Sequence, residues 1–501
     1  MPDGLPSLAE MVGRALARPT GTPAIEFEGQ WITWGGLASI ADALSRALRA
    51  GGLASDAPVV LVARNRPASI AALLGLLREG RSVCMVYAFQ SCEAIGEAIA
   101  RIAPGAAVLD NGAVSEPVVA ALRRDGILGI VLDDARVTPI PGTVQDRAGA
   151  RPEPAPQDPV IEILTSGTTG PPKSFPIRQR MIAESFIGPA GFEAMVQNRD
   201  AAAAPALLYF PLGNITGIYS TIPPLVRGQR ACLLDRFSLP AWHDYVVRHR
   251  PSRSGIPPAA MRELLDAAIP QADLASLEAM GMGAAPLDPD LHRAFEDRYG
   301  IPVLLSYGAT EFAGPVCGWT LDLHAQWGRA KLGSVGRALP GAQLRVIDPE
   351  TGAPCHADAS GLLEVISPRI GPEWIRTADM ARLDGDGFLW LLGRADGAII
   401  RGGFKILPET VERALRDHPE VAEAVVVGLA DSRLGQVPAA AVRLVRGSST
   451  DPQALARWLR MRLLAPQVPT RWLFCEAFPL NPSLKIDRPA IRRLFDDTTR
   501  R

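Results

Sequence analysis

Short apolar runs and amphipathic stretches alternate along the first part of the chain. Stretches with helical spacing lie between apolar runs of strand length; the runs are at 58–63, 81–86, 107–109 and 128–132, and the stretches at 37–50, 68–79, 92–102 and 114–124. Strands that alternate with helices indicate βαβ units on a mostly parallel sheet. The pattern therefore predicts a doubly wound α/β unit over about residues 1–155.

The alternation resumes after a proline-rich connector at 150–159. Further strands are predicted at 160–164, 206–209, 230–234 and 303–305, with a helix at 259–268. A second α/β unit over about 156–325 is therefore expected.

The pattern of apolar and polar residues then changes twice. Short extended pieces with Gly, Pro and Asp between them, at 343–347, 361–366 and 388–392, predict a small β-barrel over 326–395. After Arg394 the pattern predicts helices at 408–417 and 451–464 and strands at 421–428, 439–445 and 471–475. The fold class is thus α/β, with a large N-terminal region, 1–395, and a small α+β C-terminal domain, 396–501.

Composition excludes several classes of protein. The 501 residues carry 52 Lys+Arg against 53 Asp+Glu. The net charge is therefore close to zero, and the chain lacks the positive electrostatic field that attracts nucleic acid. No run reaches the roughly 18 apolar residues of a membrane-spanning helix, and the first residues lack the pattern of a secretory signal. Six cysteines lie far apart without a C-x-x-C pair. We expect no nucleic-acid partner, no transmembrane segment and a cytoplasmic location.

Lysine is rare in this chain. The basic residues include only four lysines, Lys173, Lys331, Lys405 and Lys485, and all the others are arginine. A flexible ammonium does chemistry that a planar guanidinium cannot replace. The four lysines are therefore candidate functional positions.

The segment from Leu164 to Lys173 reads Leu-Thr-Ser-Gly-Thr-Thr-Gly-Pro-Pro-Lys and directly follows an apolar strand. Glycines and hydroxyls in such a turn can surround phosphate oxygens, and the lysine adds positive charge. The spacing is not that of a Walker A loop, because Pro172 precedes the lysine.

This segment resembles the phosphate-binding signature of the adenylate-forming superfamily of acyl- and aryl-CoA synthetases, peptide-synthetase adenylation domains and luciferases. Ser306-Tyr-Gly-Ala-Thr-Glu311 resembles its Tyr-Gly-x-Thr-Glu motif. The resemblance implies that Tyr307 lies against adenine, Thr310 contacts the α-phosphate and Glu311 holds Mg²⁺.

Later motifs extend the resemblance to about residues 20–495. It implies that Asp379 and Arg394 bind the ribose and that Asp396 is the hinge of the small domain, although Ala378 replaces the usual glycine of this motif. Gly402, Gly403 and Lys405 match the loop that enters the site for the thiol step. Lys485 matches the catalytic lysine, with Leu484 in place of the preceding glycine.

The resemblance also assigns the remaining site residues. The catalytic residues are Lys485, Thr310 and Glu311. The residues expected to bind ATP or AMP are Thr165, Ser166, Gly167, Thr168, Thr169, Gly170, Lys173, Gly283, Ala284, Ala285, Ser306, Tyr307, Gly308, Asp379 and Arg394. The acid pocket is expected to include Asn214, Thr216, Met282, Gly308 and Phe312.

The implied reaction joins a carboxylic acid to coenzyme A through an acyl-adenylate, with ATP and Mg²⁺. No acidic residue lies between Pro205 and Pro224 to pair the ammonium of an amino acid, so an amino acid is disfavoured. Gly213 and Asn214 stand where many acyl-CoA members carry Phe and His; this change predicts a larger pocket, and Asn214 is either a substrate contact or a structural amide. An aromatic or aryl-substituted acid is the first expectation.

Three alternatives remain open at this point. The acid could be a medium- or long-chain aliphatic acid. The acceptor could be a separate carrier protein, in a stand-alone adenylation enzyme. A relative that binds ATP without turnover is the contrasting hypothesis, which Lys485 and Glu311 oppose.

Overall fold

The computed structural model describes residues 5–143, 158–165, 173–258, 260–401, 404–431, 433–481 and 485–499. The chain divides into two compact units, Met1–Leu304 with Gly308–Pro315 and Leu305–Tyr307 with Val316–Arg501. This division differs from the predicted separation at residue 395, and a mobile domain from 396 stays a prediction.

The described ranges contain a helix at each of the seven predicted positions and eight helices that the sequence pattern did not predict. In chain order they are α1 (Leu8–Leu16), α2 (Trp34–Ala50), α3 (Pro67–Arg78), α4 (Cys92–Ile102), α5 (Glu116–Arg124), α6 (Gln179–Met181), α7 (Gly188–Val196), α8 (Ile215–Arg227), α9 (Leu239–His249), α10 (Ala260–Asp266), α11 (Pro289–Tyr299), α12 (Leu321–Trp327), α13 (Pro408–Arg416), α14 (Pro452–Arg460) and α15 (Arg488–Thr499). A π-helical turn, Ile182–Ile187, joins α6 to α7.

A strand lies at each of the fourteen predicted runs, and the described ranges contain eleven further strands. They are β1 (Pro23–Phe27), β2 (Gln30–Thr33), β3 (Val59–Ala63), β4 (Val83–Tyr87), β5 (Ala106–Asp110), β6 (Leu128–Asp133), β7 (Arg136–Pro139), β8 (Val160–Thr165), β9 (Lys173–Arg178), β10 (Ala206–Leu208), β11 (Ala231–Leu233), β12 (Arg253–Gly255), β13 (Ala279–Met282), β14 (Val303–Ala309), β15 (Gly314–Gly318), β16 (Arg337–Ala338), β17 (Gln343–Ile347), β18 (Ser360–Ile366), β19 (Ile375–Leu383), β20 (Leu389–Arg394), β21 (Ile399–Arg401), β22 (Phe404–Ile406), β23 (Val421–Asp431), β24 (Gly435–Leu444) and β25 (Arg471–Phe474).

A seven-stranded sheet with the order β7-β6-β5-β3-β4-β8-β9 dominates the first unit. Its five inner strands are parallel, and the edge strands β7 and β9 are antiparallel to their neighbours. Val60 and Val62 of β3 belong to the apolar core that contains α4 and α5, whereas Leu61 belongs to the core that contains α2 and α3. Because helices cover both faces, the strands read as continuous apolar runs.

The sheets do not follow the predicted boundary at residue 155. Strand β8, assigned from the sequence to the second α/β unit, pairs with β4 in the seven-stranded sheet. Strands β10 and β11 pair with β1 and β2 from the start of the chain, in the order β10-β11-β1-β2. Local sequence patterns locate strands but carry no information about partners about 200 residues away, which explains the difference.

The second unit contains a four-stranded antiparallel sheet and a mixed sheet, in which β25 pairs in parallel with β24. Strands β17 to β20, in the region predicted to be a β-barrel, pair in sequence order as a four-stranded meander. In the C-terminal part, β23 and β24 form a long hairpin, with α13 and α14 in the apolar core on one face and α15 in the core on the other. This agrees with the predicted small α+β fold.

A half-buried arginine joins the start of α15 to this hairpin. Arg488 donates to the carbonyl oxygen of Val426 at 2.7 Å and lies 2.8 Å from Oε1 of Glu412. Glu412 also accepts the N–H of Val426 at 2.7 Å. Glu409 lies farther from Arg488, at 3.7 Å, and packs against Gly393.

No helix of the described ranges combines the length and the apolar run needed to cross a bilayer. All six cysteines lie in the described part of the chain and carry free thiols.

We predict that Glu409→Gln raises the melting temperature at pH 7–8. Burial is the main cause that raises the pKa of Glu409, so its charged form is disfavoured in the fold. Because a raised carboxyl pKa lowers stability above that pKa, the advantage of the Gln variant should shrink as the pH falls through the folded and then the unfolded pKa. Thermal unfolding from pH 8 to pH 4 measures it.

The matched control is Glu412→Gln on the same helix. Glu412 makes the close ion pair with Arg488, so this variant should unfold at a lower temperature than the parent protein. A Glu409→Gln variant that is less stable than the parent at pH 8 would show that the buried charge of Glu409 does not destabilise the fold.

Candidate active site

The predicted phosphate loop connects two paired strands of the first unit. Thr165 at the end of β8 pairs with Lys173 at the start of β9. The loop residues Ser166, Gly167, Thr168, Thr169 and Gly170 lie outside the described residues. The loop therefore leaves the sheet at the carboxyl end of a parallel strand, the edge at which α/β sheets bind ligands.

Asn214 is the N-cap of α8. Its Oδ1 accepts the N–H of Gly217 at 2.6 Å, and its own N–H donates to the carbonyl oxygen of Pro211 at 3.1 Å. Of the two roles left open by the sequence, the structural one therefore accounts for this oxygen.

The ring of Tyr87 lies next to Gly213, where the sequence predicted a larger pocket. A Cβ at this position would lie 3.0 Å from the ring of Tyr87, which therefore occupies the space of the missing side chain. Tyr87 ends strand β4, more than 120 residues earlier. Spacing along the chain could not show this neighbour, and the larger pocket stays a prediction.

Asn65 is a site-supporting residue that the sequence analysis missed. It is 2% exposed, and its Nδ2 donates to the carbonyl oxygens of Phe210 and Leu234, both at 3.2 Å. Its Oδ1 accepts the N–H of Leu212, also at 3.2 Å. One buried amide thus fixes the backbone just before the predicted pocket segment. Its only signal in the sequence was a polar residue directly after an apolar strand.

Two aromatic rings lie beside the predicted acid-pocket segments. Phe186, in the π-helical turn, and Tyr219, on α8, form an edge-to-face pair with ring centres 5.7 Å apart. Both rings face Gly314, where a Cβ would lie 3.5 Å from Phe186 and 3.8 Å from Tyr219. Neither ring was among the predicted residues.

The predicted acid-pocket residues occupy different environments. Met282 and Phe312 are 5% and 2% exposed, whereas Thr216 is half-buried on the first turn of α8. Gly308 approaches another strand closely, since a Cβ there would lie 2.5 Å from the carbonyl oxygen of Gly314. Only glycine fits this position without moving the backbone.

In the segment Gly283, Ala284 and Ala285, predicted to bind nucleotide, Ala284 is one of nine non-glycine residues of the described ranges with a positive φ. Ala284 has φ +65°, in the left-handed region that residues with a Cβ rarely adopt. Such a conformation costs about 1 kcal/mol or more and is concentrated at ligand sites.

Glu311 lies on the short 3₁₀ turn Thr310–Phe312. Its side chain is exposed and has no ion-pair or hydrogen-bond partner among the described residues. A carboxylate with free oxygens is the ligand type that Mg²⁺ prefers, together with substrate phosphates. The donor set therefore fits the predicted metal.

The predicted ribose residues meet in the second unit. Asp379 on β19 and Arg394 on β20 are cross-strand partners, and their side chains lie 3.4 Å apart. The hydroxyl of Tyr307 donates to Oδ2 of Asp379. The N–H of Asp379 donates to Oγ1 of Thr377 at 2.9 Å, so both backbone and side chain of the aspartate are fixed.

Arg394 also binds the predicted hinge residue. Its Nε and Nη2 donate to the two carboxylate oxygens of Asp396 at 2.9 and 2.7 Å. These hydrogen bonds are the main cause that raises the pKa of Arg394. One guanidinium is therefore shared between Asp379 and Asp396.

The described lysines have different surroundings. Lys331 bonds Asp384 at 2.8 Å and Asp386 at 2.6 Å and lies over the rings of Trp327 and Phe388, so its role is structural. Lys485 is exposed. Lys405 lies on strand β22, opposite Ile400, and the adjacent Gly402 and Gly403 lie outside the described residues.

The first unit thus places both ends of the predicted phosphate loop at the carboxyl end of a parallel strand, and the second unit holds the predicted ribose residues as a cross-strand pair. The family model of the AMP-binding enzyme matches residues 13–372, and that of the AMP-binding enzyme C-terminal domain matches residues 410–485. The chain therefore belongs to the AMP-binding enzyme family, within the adenylate-forming superfamily.

Two curated relatives span nearly the whole chain. The sulfoacetate–CoA ligase of Cupriavidus necator is 30% identical over 482 residues, 92% of each chain. The indoleacetate–CoA ligase of Aromatoleum aromaticum is 27% identical over 515 residues, covering 97% of this chain and 98% of its own.

The fold also matches a solved structure of this superfamily. ATP-bound MatB from Rhodopseudomonas palustris superposes with a TM-score of 0.80 at 22% identity, over 98% of this chain and 99% of its own. This similarity confirms the mixed α/β fold with a large N-terminal and a small C-terminal domain.

We predict that Asn65→Leu destabilises the first unit by at least about 2 kcal/mol, because a buried N–H and two carbonyl groups lose their partner at about 1–3 kcal/mol each. The Michaelis constant for the acid should rise as well, since the pocket segment loses its anchor. Denaturant unfolding and steady-state kinetics measure these effects.

Asn111→Leu is the control, because Asn111 is exposed and makes one bond, to Asp133 at 3.2 Å. It should change stability by less than about 0.5 kcal/mol. Equal effects of the two substitutions would show that Asn65 has no special structural role.

Proposed function

We propose that the protein is an ATP-dependent carboxylic acid:CoA ligase that forms an acyl-adenylate and then a thioester. The observation that carries the proposal is the cross-strand pair of Asp379 and Arg394 with the hydroxyl of Tyr307 on the aspartate. Polar groups held in this way suit a ribose diol before any ligand arrives. The names of the two curated relatives, both CoA ligases, support the same reaction.

In the first step a carboxylate oxygen attacks the α-phosphorus of ATP, and the bond to the β-phosphate breaks with release of pyrophosphate. Two anions must approach each other, so the site has to supply positive charge and alignment. We assign Lys485 to hold the carboxylate against the α-phosphate, and Thr310 to contact the same phosphate. The loop 165–173 is assigned to the β- and γ-phosphates.

Glu311 would hold Mg²⁺, which, when bound, neutralises phosphate charge. Its exposed carboxylate, without an ion-pair partner among the described residues, is available for this role.

In the second step the sulfur of CoA attacks the acyl carbonyl, the bond to AMP breaks and the thiol proton is lost. AMP is a good leaving group because the adenylate is a mixed anhydride. We propose that the C-terminal part turns about Asp396, so that Lys485 leaves and the loop with Gly402, Gly403 and Lys405 arrives. One site can then favour two reactions in turn.

For the substrate we propose an aromatic or aryl-substituted acid. The edge-to-face pair of Phe186 and Tyr219 beside Gly314 offers ring contacts for a flat group. The segment from Pro205 to Pro224 contains no charged residue, which disfavours a substrate with a second charge at that position. A medium- or long-chain aliphatic acid is the alternative.

We propose a cytoplasmic location and CoA as the acceptor. Six free cysteines suit a reducing compartment. A separate carrier protein remains the alternative acceptor.

The test measures pyrophosphate and AMP formation from ATP and Mg²⁺ with aromatic, arylalkanoic and aliphatic acids, with and without CoA. Turnover with an aromatic acid that needs CoA for thioester formation is expected. Adenylate that CoA fails to discharge would favour a carrier protein, and no adenylate with any acid would contradict the proposed function.

We predict that Lys485→Ala lowers the rate of adenylate formation at least about 100-fold, because the cation between two anions is lost. Thioester formation from supplied acyl-AMP should stay within about threefold of the parent rate, since Lys485 is assigned to the first step alone. Single-turnover measurements of each half-reaction separate the two effects.

Arg492→Ala is the control, because it removes an exposed positive charge from α15 without touching the assigned residues. Equal losses in both half-reactions of Lys485→Ala would exclude the proposed alternation.

A further inference from the structure

The segment that carries Lys485 doubles back on itself between β25 and α15. Leu480 and Ile486 form an antiparallel bridge, and the N–H of Asp487 donates to the carbonyl oxygen of Pro479 at 2.8 Å. The N–H of Asn481 donates to the carbonyl oxygen of Lys485 at 2.7 Å. Lys485 therefore stands on one arm of a small hairpin, opposite Asn481.

Asn481 holds Lys485 a second time through its side chain. Its Oδ1 accepts the N–H of Lys485 at 3.0 Å. Both backbone polar groups of the lysine are thus bound by one residue. In the family pattern a glycine precedes this lysine, whereas this chain has Leu484 at that position.

The base of the hairpin is anchored to the body of the C-terminal part. Oδ1 of Asp487 accepts the N–H of Ala490 at 2.9 Å and so caps α15. The next residue, Arg488, is bound to Val426 and Glu412 at 2.7 and 2.8 Å. The base of the hairpin is therefore held in place. Asn481 then determines the position of Lys485 relative to that base.

We infer that Asn481 is a positioning residue that presents Lys485 for adenylate formation, an inference that rests on the proposed role of Lys485. The long lysine side chain extends from a backbone that both bonds of Asn481 hold in place. A shift of about 1 Å in a reacting group can cost about 100-fold in rate. The two bonds from Asn481 prevent such a shift.

Asn481→Ala removes the side-chain acceptor and keeps the backbone bond. The rate of adenylate formation should fall about 10- to 100-fold, while the Michaelis constants for ATP and acid stay within about twofold. Thioester formation from supplied acyl-AMP should change less than about threefold. Asn481→Asp keeps an acceptor oxygen in the same place and should recover most of the lost rate.

Asp451→Ala is the matched control. Asp451 accepts the N–H of Ala454 at 2.7 Å as the cap of α14, a bond of the same kind in the same unit. It should lower the melting temperature without slowing adenylate formation. A purely structural role of Asn481 would instead make both variants behave alike.

The outcomes separate this inference from the proposed function. A slow Lys485→Ala variant together with an unchanged Asn481→Ala variant overturns the inference alone. Equal losses in the two half-reactions of Asn481→Ala, or no recovery with Asn481→Asp, overturn it as well. A parent protein that makes no adenylate, or a fully active Lys485→Ala variant, overturns the proposed function and this inference with it.

Discussion

The guanidinium of Arg394 lies between two carboxylates, and the proposed chemistry depends on how it is shared. It forms a bidentate pair of hydrogen bonds with Asp396 and a longer ion pair with Asp379, its cross-strand partner. Asp379 is the predicted ribose ligand, and Asp396 is the predicted hinge. A turn of the backbone at the hinge would therefore change the partners of a ribose-binding cation. In the proposed mechanism, nucleotide binding and domain rotation are therefore connected through this one side chain.

Each helix and strand that the sequence pattern predicted has a counterpart in the described structure, although α1, α8 and β1 were among those it missed. Helix α4 has the predicted bounds because Ser91 caps it and its buried positions recur at helical spacing. The partners of the strands could not be predicted in the same way. Strand β1 pairs with β11, about 200 residues later, and β8 joins the sheet of β4. Apolar runs specify burial, and burial alone does not determine which edge a strand joins.

The candidate site shows the same division. The motifs located Asp379, Arg394 and Tyr307, which the structure brings together. Spacing could not reveal Asn65, whose partners lie about 145 to 170 residues away, or Tyr87, whose ring lies next to Gly213. The rarity of lysine marked all four lysines as candidate functional positions. For Lys331 this indication failed, because two carboxylates and two aromatic rings hold its ammonium in a structural role.

The central claim is that the substrate carboxylate attacks the α-phosphorus of ATP, and an oxygen label follows this bond directly. The acid identified in the substrate panel is labelled with ¹⁸O in its carboxyl group and converted to product with ATP and CoA, and the released nucleotide and pyrophosphate are analysed by mass spectrometry. Because the attacking carboxylate oxygen stays on the α-phosphorus, we expect one ¹⁸O atom in AMP and none in pyrophosphate. Label in phosphate or pyrophosphate, with unlabelled AMP or ADP, would contradict the acyl-adenylate.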